Sequence, residues 1–223
     1  MADTRGVLLD IDGTLVDSTY HHAMAWFRAF SRHDVIVPVY RIHRAIGMGG
    51  DRLVAHVAGD DVEQRLGDDV RDAWSEEYAA VVDQVPALPG AADLVRHLAG
   101  QGFRIGLASS GEPEFSKHAA KTVGIEDLVD VLTTSADADQ SKPEPDILGA
   151  ALERLEVSRA VVVGDTPYDV EAAARAGLSC LAVLTGGFGR EELESAGAAV
   201  VAADPSELLD VDWESHLRSP RGV

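Results

Sequence analysis

The sequence predicts an α/β fold, a doubly wound parallel sheet with a small inserted α-helical domain. Short apolar runs of the kind that are buried on both faces of a sheet alternate with amphipathic helical patterns, which is typical of parallel sheets. One long segment near the N-terminus has helical periodicity only and predicts the insertion. The 223 residues, 46% of them hydrophobic, suffice for one full domain and a smaller one.

Four apolar runs predict strands of the sheet, and each ends in small or polar residues, as a buried strand does. They are GVLLDID at 6–12, FRIGLASS at 103–110, AVVVGD at 160–165 and SCLAVLT at 179–185. Helical patterns lie between and after them, namely AADLVRHLAG, EFSKHAAKTVG, PDILGAALERLE and VEAAARAG. Strand and helix therefore alternate over most of the chain, which favours a parallel arrangement.

The insertion extends from about residue 18 to residue 85. Four runs in it repeat apolar residues at helical spacing: HHAMAWFRAF, VYRIHRAIG, DRLVAHVAG and VRDAWSEEYAAVV. Prolines and a glycine at 86, 89 and 90 mark the return to the sheet. We therefore predict a discontinuous core domain at 1–17 and 86–223 and a helical domain at 18–85.

Two features inside the insertion have alternative interpretations. Trp26 and Trp74 lie at positions that we assign to its core rather than to a substrate platform. The glycine cluster GMGG at 47–50 either lines a substrate pocket or only separates two helices, and the sequence favours neither.

Composition restricts the partners and the compartment. A net charge of -19 repels nucleic acid and anionic membranes, so we expect neither as a partner. The N-terminal MADTRG has no basic or apolar leader pattern, and no stretch has the roughly 20 apolar residues of a membrane span, so we expect no secretion. The single cysteine, Cys180, lies in an apolar run and is interpreted as a buried structural thiol in a cytoplasmic protein.

Carboxylates follow the first predicted strand. Asp10 and Asp12 are two residues apart, so they point to the same side of an extended chain and converge at its carboxyl end. Two convergent anions are unfavourable unless a positive charge lies between them. Because ligands of open α/β sheets bind outside the carboxyl ends of the strands, this edge is the expected site.

The other strands bring complementary groups to the same edge. These are Ser109, Ser110 and Gly111 after the second strand, Asp165 and Asp169 after the AVVVGD strand, and Lys142 in the SKPEPD loop. Acids, hydroxyls, glycine amides and a lysine can hold Mg²⁺ and a phosphoryl group together, because hard cations take oxygen ligands. Asp165 and Asp169 also fit a helix N-cap and a first-turn acid, which is compatible with metal binding.

Four motifs occur in order: DIDGT, LASS, Lys142 in SKPEPD, and GDTPYD. In these motifs the chain resembles the haloacid dehalogenase superfamily of phosphohydrolases over nearly its whole length. The helical insertion stands where that superfamily has a small cap. The resemblance implies a Rossmann-like core, Mg²⁺ as cofactor and a small phosphorylated metabolite as substrate.

The resemblance also implies a role for each site residue. Asp10 would attack phosphorus and become an aspartyl-phosphate, and Asp12 would act as general acid and then general base. The implied Mg²⁺ ligands are Asp10, the backbone carbonyl of Asp12, Asp165 and Asp169, the last directly or through water. Ser109 and Lys142 would bind phosphoryl oxygens, with Lys142 also restraining the charge on Asp10.

Further substrate-binding groups are expected in Thr14, Ser110, Gly111 and His22. A histidine at the position of His22 helps to set the general acid in β-phosphoglucomutase-like members, but a lone helical histidine is also often structural or exposed. We leave the role of His22 open, together with the choice between a monomer and a homodimer.

The leading function is a phosphatase similar to the phosphoglycolate phosphatase branch, whose fourth motif also reads GD followed by TxxD. The alternative is a mutase that moves phosphate between positions of a sugar. Mutases of this group hold the second phosphate with a cap-loop arginine, and that position is Gly49 or Gly50 here, although Arg41, Arg44 or Arg52 could substitute. Asp12 argues against a dehalogenase, and the complete motif set argues against a catalytically idle binding or regulatory protein.

Overall fold

A six-stranded parallel sheet forms the centre of the computed structural model, which describes residues 4–220. Its strand order is β3-β2-β1-β4-β5-β6, and every neighbouring pair is parallel. The strands are β1 Arg5–Leu9, β2 Arg104–Ala108, β3 Val131–Thr133, β4 Arg159–Gly164, β5 Cys180–Val183 and β6 Val200–Ala202. All carboxyl ends therefore lie at one edge, as the α/β prediction requires.

The central strand is buried on both faces. Val7, Leu8 and Leu9 have no exposed surface, and Leu8 belongs to a different apolar cluster from its two neighbours. Alternate side chains of a strand point to opposite faces, so each cluster covers one face of the sheet. Leu9 pairs with Leu107 of β2 and with Val163 of β4, which places the residue after it between the ends of two other strands.

Helices cover both faces of the sheet. They are α5 Ala91–Gly100, α6 Pro113–Val123, α7 Asp146–Leu155, α8 Pro167–Arg175, α9 Arg190–Ala196 and α10 Trp213–His216. The first four correspond to the helical patterns read from the sequence: α5 has the same ends as its pattern, and the other three differ by one to three residues. The sequence did not predict β3 and β6, because edge strands of three residues are too short to produce a periodic pattern.

The chain between β1 and β2 is helical. It forms α1 Thr19–Arg32, α2 Val39–His43, α3 Gly50–Ala58 and α4 Asp60–Ala79, without a strand that joins the sheet. Helices α1 and α3 both pack on α4, and Trp26 and Trp74 are buried between them, as their assignment to the core predicts. The division into two domains, whose outer limits include residues 1–3 and 221–223 outside the described part, stays a prediction.

The helical segment leaves and re-enters the sheet domain at one place. The backbone N–H of Asp17 donates to the carbonyl of Pro86 at 3.0 Å, and that of Leu88 donates to Leu15 at 2.9 Å. The two connecting segments therefore lie side by side, and both can act as the hinge of the insertion.

The sequence predicts no membrane-spanning segment, and the helices of the structure can be compared with that prediction. No helix between residues 4 and 220 combines the length and the apolar character that crossing a membrane requires. The residues on which the prediction of no secretion rests begin at Met1, and 1–3 lie outside the described part.

Cys180 is buried in β5 as a free thiol, and burial raises its pKa well above the usual value.

Candidate active site

A tight turn after β1 places the two motif carboxylates. The N–H of Leu15 donates to the carbonyl of Ile11 at 2.8 Å, and Gly13 has a φ of +77°, a conformation that favours glycine. A Cβ on Gly13 would also lie 2.3 Å from Oδ2 of Asp165. The turn directs the carboxylate of Asp10 toward the ends of the neighbouring strands and that of Asp12 toward helix α1.

Three carboxylates and one lysine form the centre of the site. Oxygens of Asp10, Asp165 and Asp169 lie within 4.8 Å of one another, and all three residues are buried. The ammonium of Lys142, a residue that is only 2% exposed, lies 2.5 Å from Oδ1 of Asp10 and 2.8 Å from Oδ1 of Asp169. It also donates to the carbonyl of Ala108 at 2.9 Å, so Lys142 has hydrogen-bond partners in Asp10 and Ala108 and an ion-pair partner in Asp169.

The chemistry of this cluster fits a divalent cation. Three carboxylates face one lysine, so two negative charges are left unbalanced, the number that a divalent ion would neutralise. Oδ2 of Asp165 is buried and has no hydrogen-bond partner among the described residues. Unpaired buried carboxylates are unfavourable without a cation, and an all-oxygen donor set is that of hard metal ions.

Asp169 has two functions in the structure. Its Oδ2 accepts the hydroxyl of Thr166 at 2.7 Å and the N–H of Thr166 at 3.0 Å, which caps helix α8. Its Oδ1 faces Lys142. Oδ1 thus has an ion-pair partner but no hydrogen bond among the described residues, so either a direct or a water-linked contact to a metal fits this oxygen.

A short turn after β5 closes the cluster. This turn, Leu184–Gly186, lies against Asp165 so closely that a Cβ on Gly186 would be 2.0 Å from Oδ2 of Asp165. Thr185 donates its hydroxyl to the carbonyl of Gly13 at 2.5 Å, and Nε2 of His43, in α2, lies 3.0 Å from the carbonyl of Gly186. The turn thus connects the helical insertion with the carboxylates.

We predict a characteristic pH dependence of stability for the metal-free protein. Burial raises the pKa of Asp10 from 3.8 to about 7 against the attraction of Lys142, with repulsion from Asp169 adding to the rise. The folded protein therefore binds a proton that the unfolded chain releases, so the free energy of unfolding falls as pH rises through this interval. Urea unfolding at several pH values should show this fall in EDTA and a smaller one in Mg²⁺; equal slopes would contradict it.

The residues predicted to bind phosphate or substrate differ in their hydrogen-bond partners. Ser109 is buried, and its hydroxyl accepts the N–H of Gly111 at 2.9 Å. The hydroxyl of Ser110 is buried without a hydrogen-bond partner among residues 4–220. Thr14 is fully buried and donates to Oδ1 of Asp165 at 2.9 Å, so it supports the carboxylate cluster.

The carboxylate of Asp12 has its own set of partners. It accepts the hydroxyl of Ser18 at 2.6 Å and lies 2.9 Å from Nε2 of His22. The imidazole of His22 is stacked on Tyr78 with ring centroids 3.8 Å apart, which fixes its orientation. Burial alone would raise the pKa of Asp12, but His22 and the two hydrogen bonds outweigh burial and hold that pKa below its usual value.

Two adjoining cavities lie between the sheet edge and the helical insertion, and only the smaller one reaches Asp10 and Asp12. The smaller, about 50 Å³, is lined by Asp10, Asp12, His22, Trp26, Ile46, Gly47, Met48, Gly49, Gly50, Trp74, Ser110 and Gly111. The larger, about 220 Å³, shares Gly50, Trp74, Ser110 and Gly111 with it. The GMGG cluster at 47–50 therefore lines the smaller cavity and also leads into α3, of which Gly50 is the first residue, and its role in a substrate pocket stays a prediction.

Sequence reasoning missed several residues on the cavity walls. Trp74 is buried core, as interpreted, and at the same time forms a wall of both cavities. Asp51 and Glu112 lie on the wall of the larger cavity and belong to none of the four motifs, and Ser141, the first residue of SKPEPD, lies there without a role assigned to it from the sequence. Only Glu112 could have been identified as a wall residue from the sequence, because it directly follows Gly111 after β2.

The comparisons with known proteins agree with this geometry. Residues 4–177 match the haloacid dehalogenase-like hydrolase family. The chain is 33% identical over 212 residues to validoxylamine A 7'-phosphate phosphatase of Streptomyces hygroscopicus subsp. limoneus, covering 92% of this chain and 95% of that protein. It is 29% identical over 218 residues to phosphoglycolate phosphatase of Rhodospirillum rubrum, covering 92% and 90%.

The fold is similar to that of a solved relative. A hydrolase from Pseudomonas syringae superposes with a TM-score of 0.87 at 29% identity, over 93% of this chain and 97% of that chain. The family match covers well over half of the sequence and includes the DIDGT, LASS, SKPEPD and GDTPYD segments. The chain therefore belongs to the haloacid dehalogenase-like hydrolase family.

Proposed function

We propose that this chain is a Mg²⁺-dependent phosphatase that hydrolyses small phosphorylated metabolites through an aspartyl-phosphate on Asp10. The observation that carries the proposal is the juxtaposition of Asp10, which lines a cavity, with the buried side chains of Asp165, Asp169 and Lys142. Its relatives include proteins named as phosphatases. Asp10, Asp165 and the backbone carbonyl of Asp12 would hold the ion, and Asp169 would do so directly or through water. When bound, the cation would supply positive charge that offsets the carboxylates and the phosphoryl oxygens.

In the proposed reaction, a carboxylate oxygen of Asp10 attacks phosphorus while the bond from phosphorus to the leaving oxygen breaks. The leaving oxygen takes its proton from Asp12. A water then attacks the phosphorus of the aspartyl-phosphate and gives a proton to Asp12, and inorganic phosphate leaves as Asp10 is restored. Lys142 and the groups of Ser109, Ser110 and Gly111 stabilise the phosphoryl oxygens.

His22 is proposed as a positioning residue for Asp12. It lies within hydrogen-bond distance of the carboxylate, and its stacking on Tyr78 holds the imidazole in place. The hydroxyl of Ser18 holds the same carboxylate oxygen. Asp12 is thus fixed at the boundary between the sheet domain and the helical insertion, where a leaving group would depart.

The arginines that could serve a mutase are engaged elsewhere. Arg44 pairs with Glu192 at 2.5 Å, and Arg52 pairs with Glu144 at 3.3 Å. Neither they nor Arg41 line either cavity. A free cation for a second phosphate is therefore missing from the described walls, which supports hydrolysis over phosphate transfer between sugar positions.

The test is phosphate release from p-nitrophenyl phosphate and a panel of phosphorylated metabolites, in Mg²⁺ and in EDTA. We expect release in Mg²⁺, loss of release in EDTA and recovery when Mg²⁺ is restored. Equal release in EDTA would contradict the proposal. The cytoplasmic location, the oligomeric state, monomer or homodimer, and the domain limits at residues 18 and 85 stay predictions.

A further inference from the structure

The larger cavity has a negatively charged wall. Asp51, Glu112 and Asp139 line it, and among residues 4–220 none of the three forms an ion pair with a cation. Asp51 accepts the N–H of Ser141 at 3.3 Å, and Glu112 accepts the hydroxyl of Ser75 at 3.0 Å. These contacts hold the carboxylates in place without neutralising them.

The one cation on the described part of this wall is Arg71, and its charge is already compensated. Its guanidinium binds both carboxylate oxygens of Glu63, at 2.9 and 3.0 Å, and lies 2.8 Å from Asp68. It also donates to the carbonyl of Gly50 at 3.1 Å. A substrate with a second anionic group would meet three carboxylates here and no available positive charge.

The wall shared by the two cavities carries uncharged polar groups that have no partner among the described residues. The indole N–H of Trp74 and the hydroxyl of Ser110 are both buried, and neither has a hydrogen-bond partner among the described residues. Trp74 is stacked against Trp26, with ring centroids 5.0 Å apart, so its position is fixed. A buried donor without a partner is unfavourable, and a hydroxyl-bearing leaving group would satisfy the indole N–H, while Ser110 faces the phosphoryl group in the proposed reaction.

We propose, on the basis of the phosphatase function above, that the larger cavity selects leaving groups that are uncharged or amine-bearing polyols and rejects those with a carboxylate or second phosphate. Its volume of about 220 Å³ is below the roughly 300–1,000 Å³ of pockets for drug-sized ligands. The leaving group is thus of monosaccharide size. Phosphoglycolate, whose leaving group carries a carboxylate, is a poor substrate by this inference.

The test uses substrates of matched size. Sorbitol 6-phosphate and 6-phosphogluconate differ only in a terminal alcohol against a carboxylate, and glucosamine 6-phosphate differs from glucose 6-phosphate only in an ammonium against a hydroxyl. We expect kcat/KM in Mg²⁺ to be about fivefold higher for sorbitol 6-phosphate than for 6-phosphogluconate, because two like charges about 4 Å apart in water repel by an energy that corresponds to about that factor. Glucosamine 6-phosphate should exceed glucose 6-phosphate.

Charge removal tests the cause of the preference. In the Asp51→Asn, Glu112→Gln double variant, the ratio of kcat/KM between sorbitol 6-phosphate and 6-phosphogluconate should fall toward one. Glu153→Gln, an exposed acid on α7 that lines neither cavity, should leave that ratio unchanged. A ratio unaffected by the double variant would overturn the inference.

The outcomes separate this inference from the proposed function. Metal-dependent release that is as fast from phosphoglycolate and 6-phosphogluconate as from the polyol phosphates would overturn the substrate class and leave the phosphatase standing. No release from any substrate, p-nitrophenyl phosphate included, would fail the proposed function and with it this inference.

Discussion

Asp10→Asn should lower phosphate release by about 10⁴-fold or more, because loss of the attacking nucleophile removes the reaction path itself. The amide has nearly the same size and keeps the turn after β1, so the variant should fold. Lys142 would keep its contact with Asp169. Steady-state release of phosphate from p-nitrophenyl phosphate in Mg²⁺ measures the loss.

Stability measurements distinguish this effect from damage to the fold. Burial raises the pKa of Asp10 to about 7, so its ionised form is unfavourable in the metal-free protein. Thermal unfolding of Asp10→Asn in EDTA at pH 8 should therefore occur at the wild-type temperature or above it. Asp127→Asn, an exposed acid far from the cluster in sequence, should retain activity. Substantial turnover by Asp10→Asn would disprove the nucleophile assignment.

Of the substitutions considered, Lys142→Met should lower the free energy of unfolding the most. Methionine fills a similar volume but leaves the buried carboxylates of Asp10, Asp165 and Asp169 without their one ammonium partner. Breaking a buried ion pair by removing one partner costs about 3–5 kcal/mol. The free energy of unfolding in EDTA, from urea titration at neutral pH, should fall by that amount, and activity should be lost.

Two comparisons make the Lys142 prediction specific. Mg²⁺ should restore part of the lost stability, because a cation in the cluster replaces the missing charge. Lys121→Met, a change of the same kind at an exposed position of α6, should cost little. Unchanged stability of Lys142→Met in EDTA would show that the lysine does not balance the carboxylates.

The sheet and the motif residues were predictable because their signals are local. Buried parallel strands give short apolar runs, and β1, β2, β4 and β5 were found from such runs with ends displaced by a few residues. The chemistry at their carboxyl ends follows from topology, since parallel strands place their ends at one edge. That rule brings Asp10 and Asp165 together without any knowledge of side-chain contacts, whereas Lys142, which follows the unpredicted strand β3, was identified from its motif.

The walls of the cavities were not predictable in the same way. Asp51 lies in α3 and Arg71 in α4, and their positions relative to Glu112, which follows β2, depend on how α3 and α4 pack in the helical insertion. Helical periodicity identifies the buried face of each helix but not its neighbour in space. The separation of the Asp12 carboxylate from the other three also depended on the turn at Gly13, whereas alternation along a strand predicted convergence.

The contact of His43 with the Leu184–Gly186 turn gives the molecule a reciprocal linkage. Gly186 of this turn lies in close contact with Asp165, and its carbonyl contacts His43 of the helical insertion. If the position of the insertion alters the affinity of the carboxylates for a cation, the cation must alter the equilibrium of the insertion by the same factor. In that case, cation binding to the carboxylates and movement of the helical insertion are thermodynamically coupled.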